Sequence, residues 1–97
     1  MTSCNHEKPH HFVYVLRCKD DSLYTGYTID IARRLQEHQT GRGARYTRAR
    51  RPVSLVTYWS FPTKHEAMSA EWAFKNLSRA QKMAQIAKKP CDEGPLI

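Results

Sequence analysis

Several features are missing from this 97-residue sequence, and each absence narrows what it can be. Its three cysteines, Cys4, Cys18 and Cys91, are odd in number and far apart, with no Cys-x-x-Cys spacing. Neither a disulfide framework nor a zinc site is therefore indicated. No long apolar run and no signal-peptide core occur, so the expectation is a soluble, cytoplasmic protein without a membrane partner. No internal repeat or linker is visible, and the length leaves room for one domain with one modest core. Acidic residues are scarce: 9 Asp+Glu stand against 16 Lys+Arg, a net charge of +7. Such a surplus favours a polyanionic partner, most often nucleic acid.

What is present divides into short, recognisable elements. Residues 1–10 are polar and read as a flexible N-terminal segment. With His11 they group Cys4, His6, His10 and His11, donors able to scavenge a metal, although no apolar pattern fixes their geometry. "FVYVLRC", 12–18, is β-branched and aromatic and predicts a strand that ends on a small buried Cys18. "KDDS" is a turn and "LYTGYT", 23–28, a second strand, short-linked and hence antiparallel to the first. "IDIARRLQEHQTG" predicts a helix with Asp30 as N-cap and Gly41 as its stop signal. The segment 42–52 is arginine-rich without an apolar period and reads as a loop or irregular helical turn. "VSLVTYWSF", 53–61, is a third strand. A Thr63-to-Glu66 capping box opens the next helix, and a short helix follows through residue 88. Residues 89–97 read as a flexible tail. The order β-β-α-β-α over 11–88 predicts an α/β domain: a three-stranded, mainly antiparallel sheet flanked by helices.

Placing residues at roughly 100° each sorts the polar side chains. On the first helix Ile31, Leu35 and Ala32 share the core arc, and Arg34 and His38 lie together at its edge. Arg33 and Glu37 point outward as an i,i+4 pair. Taken alone, Arg34 reads first as an arginine snorkelling from the core edge, and His38 as a cation favoured by the helix C-terminus. On the later helix Glu71 sits at the rim of the apolar stripe, with Lys75 as a surface partner four residues on. In the hairpin Tyr24 and Gly26 share a face, and Tyr14 can sit near Tyr24 across it. Paired strand tyrosines also serve as plain packing residues.

Taken together, "VYV", "YTG", "ARRLQEH" and a lone Glu in a late helix resemble the GIY-YIG nuclease superfamily. The resemblance covers roughly residues 12–80 and is nearest to the small stand-alone bacterial members. It is also similar to the nuclease subunit of structure-specific resolvases. It implies that Tyr14 is the tyrosine of the GIY half and Tyr24 that of the YIG half, with Gly26 closing the motif. Arg34 then matches the family's arginine, His38 the histidine one turn later, and Glu71 the carboxylate that holds a single divalent metal. Phe12 stands in the GIY glycine position and Thr25 in the YIG isoleucine position. Gln39 replaces a frequent asparagine, and Asn76 is a candidate for the family's late one.

Phosphodiester hydrolysis needs an activated water, charge on the phosphoryl oxygens and help for the leaving alkoxide. The resemblance supplies Mg²⁺ or Mn²⁺ on Glu71, a guanidinium fork from Arg34 and a water-activating phenol. That phenol is expected to be Tyr14, with a pKa lowered from about 10 by the arginine and the metal. Tyr24 would support it, and His38 would bond the water, the phosphate or a tyrosine. Five of nine arginines, Arg42, Arg45, Arg48, Arg50 and Arg51, fall within ten residues around Tyr46. That strip suits phosphate-backbone contact without sequence reading. The expected function is a metal-dependent endonuclease acting on DNA or another nucleic acid, with a protein partner a further means of targeting. The alternative is a non-cleaving nucleic-acid-binding module, or an accessory protein in a DNA repair or recombination complex.

Overall fold

A computed structural model describes residues 11–88. The expectations for residues 1–10, including Cys4, His6 and His10 as metal donors, and for the tail 89–97 lie outside those residues. His11 lies inside, and it opens a strand. The elements run β1 (His11–Arg17), β2 (Leu23–Thr28), α1 (Ile31–Gln39), α2 (Arg45–Arg48), β3 (Ser54–Phe61), α3 (Lys64–Lys75) and α4 (Arg79–Lys88). The three strands form one antiparallel sheet in the order β2-β1-β3, as the sequence pattern predicts. The one-turn helix α2 falls inside the segment expected to be a loop or irregular helical turn.

β1 is the central strand, and its sequence explains why. Val13, Tyr14, Val15 and Leu16 are all buried, so it reads as a continuous apolar run, the mark of a strand covered on both faces. One face carries Tyr14, Leu16, Cys18 and Val53, with Tyr24, Leu35, Leu55 and Tyr58 packed against them. The other carries Val15 with Phe74 and Ile86 of α3 and α4, flanked by Leu23, Val56, Trp59, Leu77 and Met83. A register shift opposite Val15 and Leu16 makes Val56 an extra residue in β3, a β-bulge of the kind that increases local twist.

The helices are positioned by their ends. Asp30 caps α1 by accepting from the Arg33 amide at 3.1 Å. At the other end Gly41 takes φ 88°. Its amide bonds the His38 carbonyl at 3.2 Å while the Arg42 amide reaches Glu37 O at 2.7 Å. These two bonds form a Schellman motif, which turns the chain back over α1. Gln39 then ties that turn to the sheet: its amide donates to the Val53 carbonyl and accepts from the Val53 amide. Thr63 caps α3 as its sequence predicts, and Ser78 and Gln81 cap α4 reciprocally. Asn76 ends α3, its side chain on the Trp72 carbonyl at 2.7 Å.

Candidate active site

The site begins in the pairing of β1 with β2. Tyr14 stands opposite Gly26, and Leu16 opposite Tyr24, so strand alternation puts Tyr14, Tyr24 and Gly26 on one face. A Cβ on Gly26 would lie 2.6 Å from Cζ of Tyr14. The Tyr14 ring therefore lies against the β2 backbone, and only glycine leaves it room. That ring is 2% exposed, with the Tyr24 ring 6.4 Å away, centroid to centroid.

Helix α1 brings His38 onto these phenols. His38 is wholly buried. Its Nε2 lies 2.8 Å from the Tyr14 hydroxyl and its Nδ1 2.7 Å from Thr47 Oγ1. Its ring meets Tyr14 and Tyr24 edge-on, at 5.7 and 5.2 Å. Burial first, and the nearby Arg34 cation second, hold its pKa below the usual histidine value against a smaller opposing pull from Glu37. It does close α1, but from a buried position that disfavours the imidazolium. That runs against the reading of His38 as a helix-terminal cation, since burial and Arg34 both disfavour its charged form. Ala32, expected in the core arc, is exposed; the arc is shifted toward His38, and Ile31, Leu35 and His38 face inward.

Arg34 is the inward arginine and Arg33 the outward one, as the helical bearings predict. Both converge on Glu37: Arg34 Nη1 at 2.8 Å from one oxygen and Arg33 Nε at 3.4 Å from the other. Arg34 also faces the Tyr14 phenol. Its own pKa is raised by its bond to Glu37 and then by Tyr14. A cleft of about 420 Å³ opens between the β2–α1 junction and Arg33, Arg34 and Glu37.

For Tyr14 burial outweighs the arginine. Its pKa is pushed up to about 12, first by burial, with Tyr24 and Glu71 adding to the rise and Arg34 pulling it down. Arginine alone does not lower this phenol below its ordinary value, because the desolvation of a phenolate on a covered sheet face is the larger effect.

Glu71 comes from α3 and completes the group. Its side chain is 12% exposed and pairs with Lys75 at 2.9 Å, so the surface pair predicted from spacing does form. The carboxylate is nonetheless largely withdrawn from solvent and close enough to Tyr14 to affect its ionisation. Among the described residues no group of three or more His, Cys, Asp or Glu side chains could hold a metal. A hard divalent cation needs no such cluster, since Mg²⁺ binds through one or two carboxylates and keeps several waters. Glu71 fits that demand, its lysine partner being half exposed and on a flexible stem.

The arginine strip separates into two kinds. Arg42, Arg45 and Arg48 are exposed, and their guanidinium groups have no ion-pair partner among the described residues. Arg50 bonds Asp20 at 3.1 Å and the Tyr46 carbonyl at 3.0 Å. Its guanidinium also lies 3.9 Å from the Tyr46 ring centroid. Arg51 donates to the Arg48 and Gln39 carbonyls. Tyr46 stacks on Tyr24, with centroids 5.9 Å apart, and thereby joins the strip to the site. Sequence reasoning missed Thr47, fully buried in α2, and Gly43, where a Cβ would lie 2.7 Å from Cε1 of His38. The one signal for both was a lone threonine and a glycine inside an otherwise cationic stretch, in a helix too short to show a period. Among the described residues no helix is long and apolar enough to cross a membrane.

Comparison with known proteins covers most of the chain. A family model described as the GIY-YIG catalytic domain matches residues 10–84. A UPF0213 protein of Bacillus velezensis is 58% identical over 79 residues, covering 81% of this chain and 80% of its own. The UPF0213 protein YazA of Bacillus subtilis is 51% identical over 83 residues, 86% of this chain and 84% of its own. Among solved structures, the solution NMR structure of UPF0213 protein BH0048 from Bacillus halodurans superposes with a TM-score of 0.58 at 51% identity. It covers 84% of this chain and 86% of that one. The NMR structure of EF2693 from E. faecalis gives the same TM-score at 46% identity, covering 81% and 84%.

Proposed function

The chain belongs to the GIY-YIG family of nuclease domains, and on that premise we propose that it is a metal-dependent endonuclease hydrolysing phosphodiester bonds in DNA or another nucleic acid. The observation that carries this reading is the convergence of Tyr14, Tyr24, Arg34 and His38 on one sheet face, with Glu71 bearing on the same phenol. In this reading Arg34 exchanges its bond to Glu37 for a phosphoryl oxygen, which its planar fork matches. Tyr14 orients the attacking water and takes its proton, while Tyr24 holds the ring geometry from beneath Tyr46. Glu71 would hold Mg²⁺ or Mn²⁺, which when bound supplies Lewis-acid polarisation of the phosphoryl oxygens and charge for the leaving alkoxide. Arg42, Arg45 and Arg48 contact the backbone, and Tyr46, Arg50 and Arg51 shape the segment that presents them. Phosphate contacts of this kind position a substrate without reading its sequence.

The experiment is cleavage of plasmid, single-stranded, branched and RNA substrates with Mg²⁺, with Mn²⁺ and with EDTA, beside Glu71→Ala and Arg34→Ala. Cleavage that needs metal and is lost by about 10²-fold or more in both variants supports the site. Cleavage that survives both substitutions refutes it. Binding of every substrate without cleavage would favour the second reading, a nucleic-acid-binding module or an accessory of a repair or recombination complex. The structure offers one observation on that side: Arg34 is already neutralised by Glu37.

A further inference from the structure

Resting on that nuclease reading, we infer that Thr47 is a positioning residue that sets the direction of proton flow in the site, by fixing His38 as the tautomer that accepts a proton from Tyr14. Two neighbours compete for the Thr47 hydroxyl, which has a single hydrogen. One is the Ala44 carbonyl at 3.1 Å and the other is His38 Nδ1 at 2.7 Å. A carbonyl oxygen only accepts, so the hydrogen goes to Ala44. Turned the other way, the hydroxyl would set its lone pairs against those of the carbonyl. Thr47 Oγ1 is then an acceptor toward the ring, and Nδ1 must carry the proton. A neutral imidazole with hydrogen on Nδ1 presents a bare lone pair at Nε2. That lone pair lies 2.8 Å from the Tyr14 hydroxyl, so Tyr14 donates and His38 accepts.

The arrangement is closed on all sides. Thr47 and His38 are both fully buried, so water does not compete for either bond. Gly43 presses its backbone on the same ring, near enough that a Cβ there would reach the Nδ1 edge. The donors thus run from the phenol through the imidazole and the Thr47 hydroxyl, and end on a backbone carbonyl of the α1–α2 turn.

As a water attacks phosphorus, its O–H bond breaks and the proton passes to Tyr14 Oη. Tyr14's own O–H bond breaks in turn, and that proton forms a bond to His38 Nε2. The new O–P bond forms as the P–O bond to the leaving alkoxide breaks, and the alkoxide takes a proton from solvent. His38, now an imidazolium still donating to Thr47, returns its proton through Tyr14 to water. With the opposite tautomer Nε2 carries hydrogen, and Tyr14 has nowhere to send its own.

The test uses the full chain labelled with ¹⁵N at histidine, together with Thr47→Val and Thr47→Ser. In the wild type at neutral pH, the His38 ring nitrogens should report hydrogen on Nδ1 and a bare Nε2. Thr47→Val removes the acceptor and should shift the ring toward the Nε2–H form. It should also lower kcat by about 10²-fold, the lower end for a positioned proton acceptor, with KM unchanged. Thr47→Ser should restore both. A wild-type ring protonated on Nε2 overturns the inference, and needs no variant to fold. So does a Thr47→Val protein whose tautomer shifts while kcat holds. Should the wild type cleave no substrate, the nuclease reading fails by itself, while the ring spectrum still decides which way the Tyr14–His38 bond points.

Discussion

Replacing Gly26 by alanine tests the geometry of the site through a sign. In an ordinary strand, glycine to alanine is favourable by about 0.5–1 kcal/mol, since glycine loses more backbone freedom on folding. Here the added Cβ meets Cζ and Cε2 of Tyr14 at 2.6 and 3.1 Å. The ring cannot slide away, because His38 and Tyr24 flank it and it is almost fully covered. Overpacking of this kind costs about 1–3 kcal/mol. Displacing the phenol also loosens its buried bond to His38, worth about another 1–3 kcal/mol if a partner is left unpaired. Against the small intrinsic gain, the net expectation is a loss of about 3 kcal/mol, or about 15 °C in Tm for a domain of this size. Urea and thermal melts followed by circular dichroism measure it. The decisive arm is the same substitution in a Tyr14→Ala background, where the steric conflict is gone and alanine should become neutral or slightly stabilising. An unchanged wild-type Tm, or an equal loss in both backgrounds, would refute the reasoning.

Acid should destabilise the fold through His38. Its native pKa lies below the unfolded value near 6.5, so below that pH the unfolded chain binds a proton that the native chain refuses. Stability then falls as pH drops, by up to about 1.4 kcal/mol per pH unit, and His38→Gln should flatten that limb. Tyr14 acts at the other end. With a native pKa of about 12 it holds its proton where the unfolded chain loses it, so stability falls as pH rises past about 10, and Tyr14→Phe should remove that loss. For nucleic acid, the triple change of Arg42, Arg45 and Arg48 to alanine should reduce the slope of log K against log salt by about 2–3, from about 0.9 per phosphate contact. Arg50→Ala should leave that slope nearly intact and lower Tm, because Arg50 holds Asp20 and Tyr46.

Periodicity made half of the site legible. Alternation along β2 and helical bearings along α1 are local properties, and they placed Tyr24 with Gly26 and separated Arg34 from Arg33. What they could not supply was the cover over α1. His38 is buried because the Schellman turn folds residues 43–48 back on it, and a helical wheel knows nothing of a later turn. The same blindness made five arginines look alike, when Arg50 and Arg51 bond within the protein. It also hid Thr47, whose meaning lies wholly in a contact nine residues away. Around Tyr14 the charge neighbours follow from motif order, but the depth of burial that outweighs Arg34 does not.

The order β2-β1-β3 has a consequence for how the molecule breathes. Amides of β1 are bonded into a ladder on each side, so they reach solvent only when the whole sheet comes apart, at a free energy near that of global unfolding. The one-turn α2 and the turn before it hold together through a few bonds near the surface, and such segments exchange with solvent on their own. Tyr14 thus hangs from amides expected to exchange slowly, and the Thr47 backbone from a segment expected to open without the sheet.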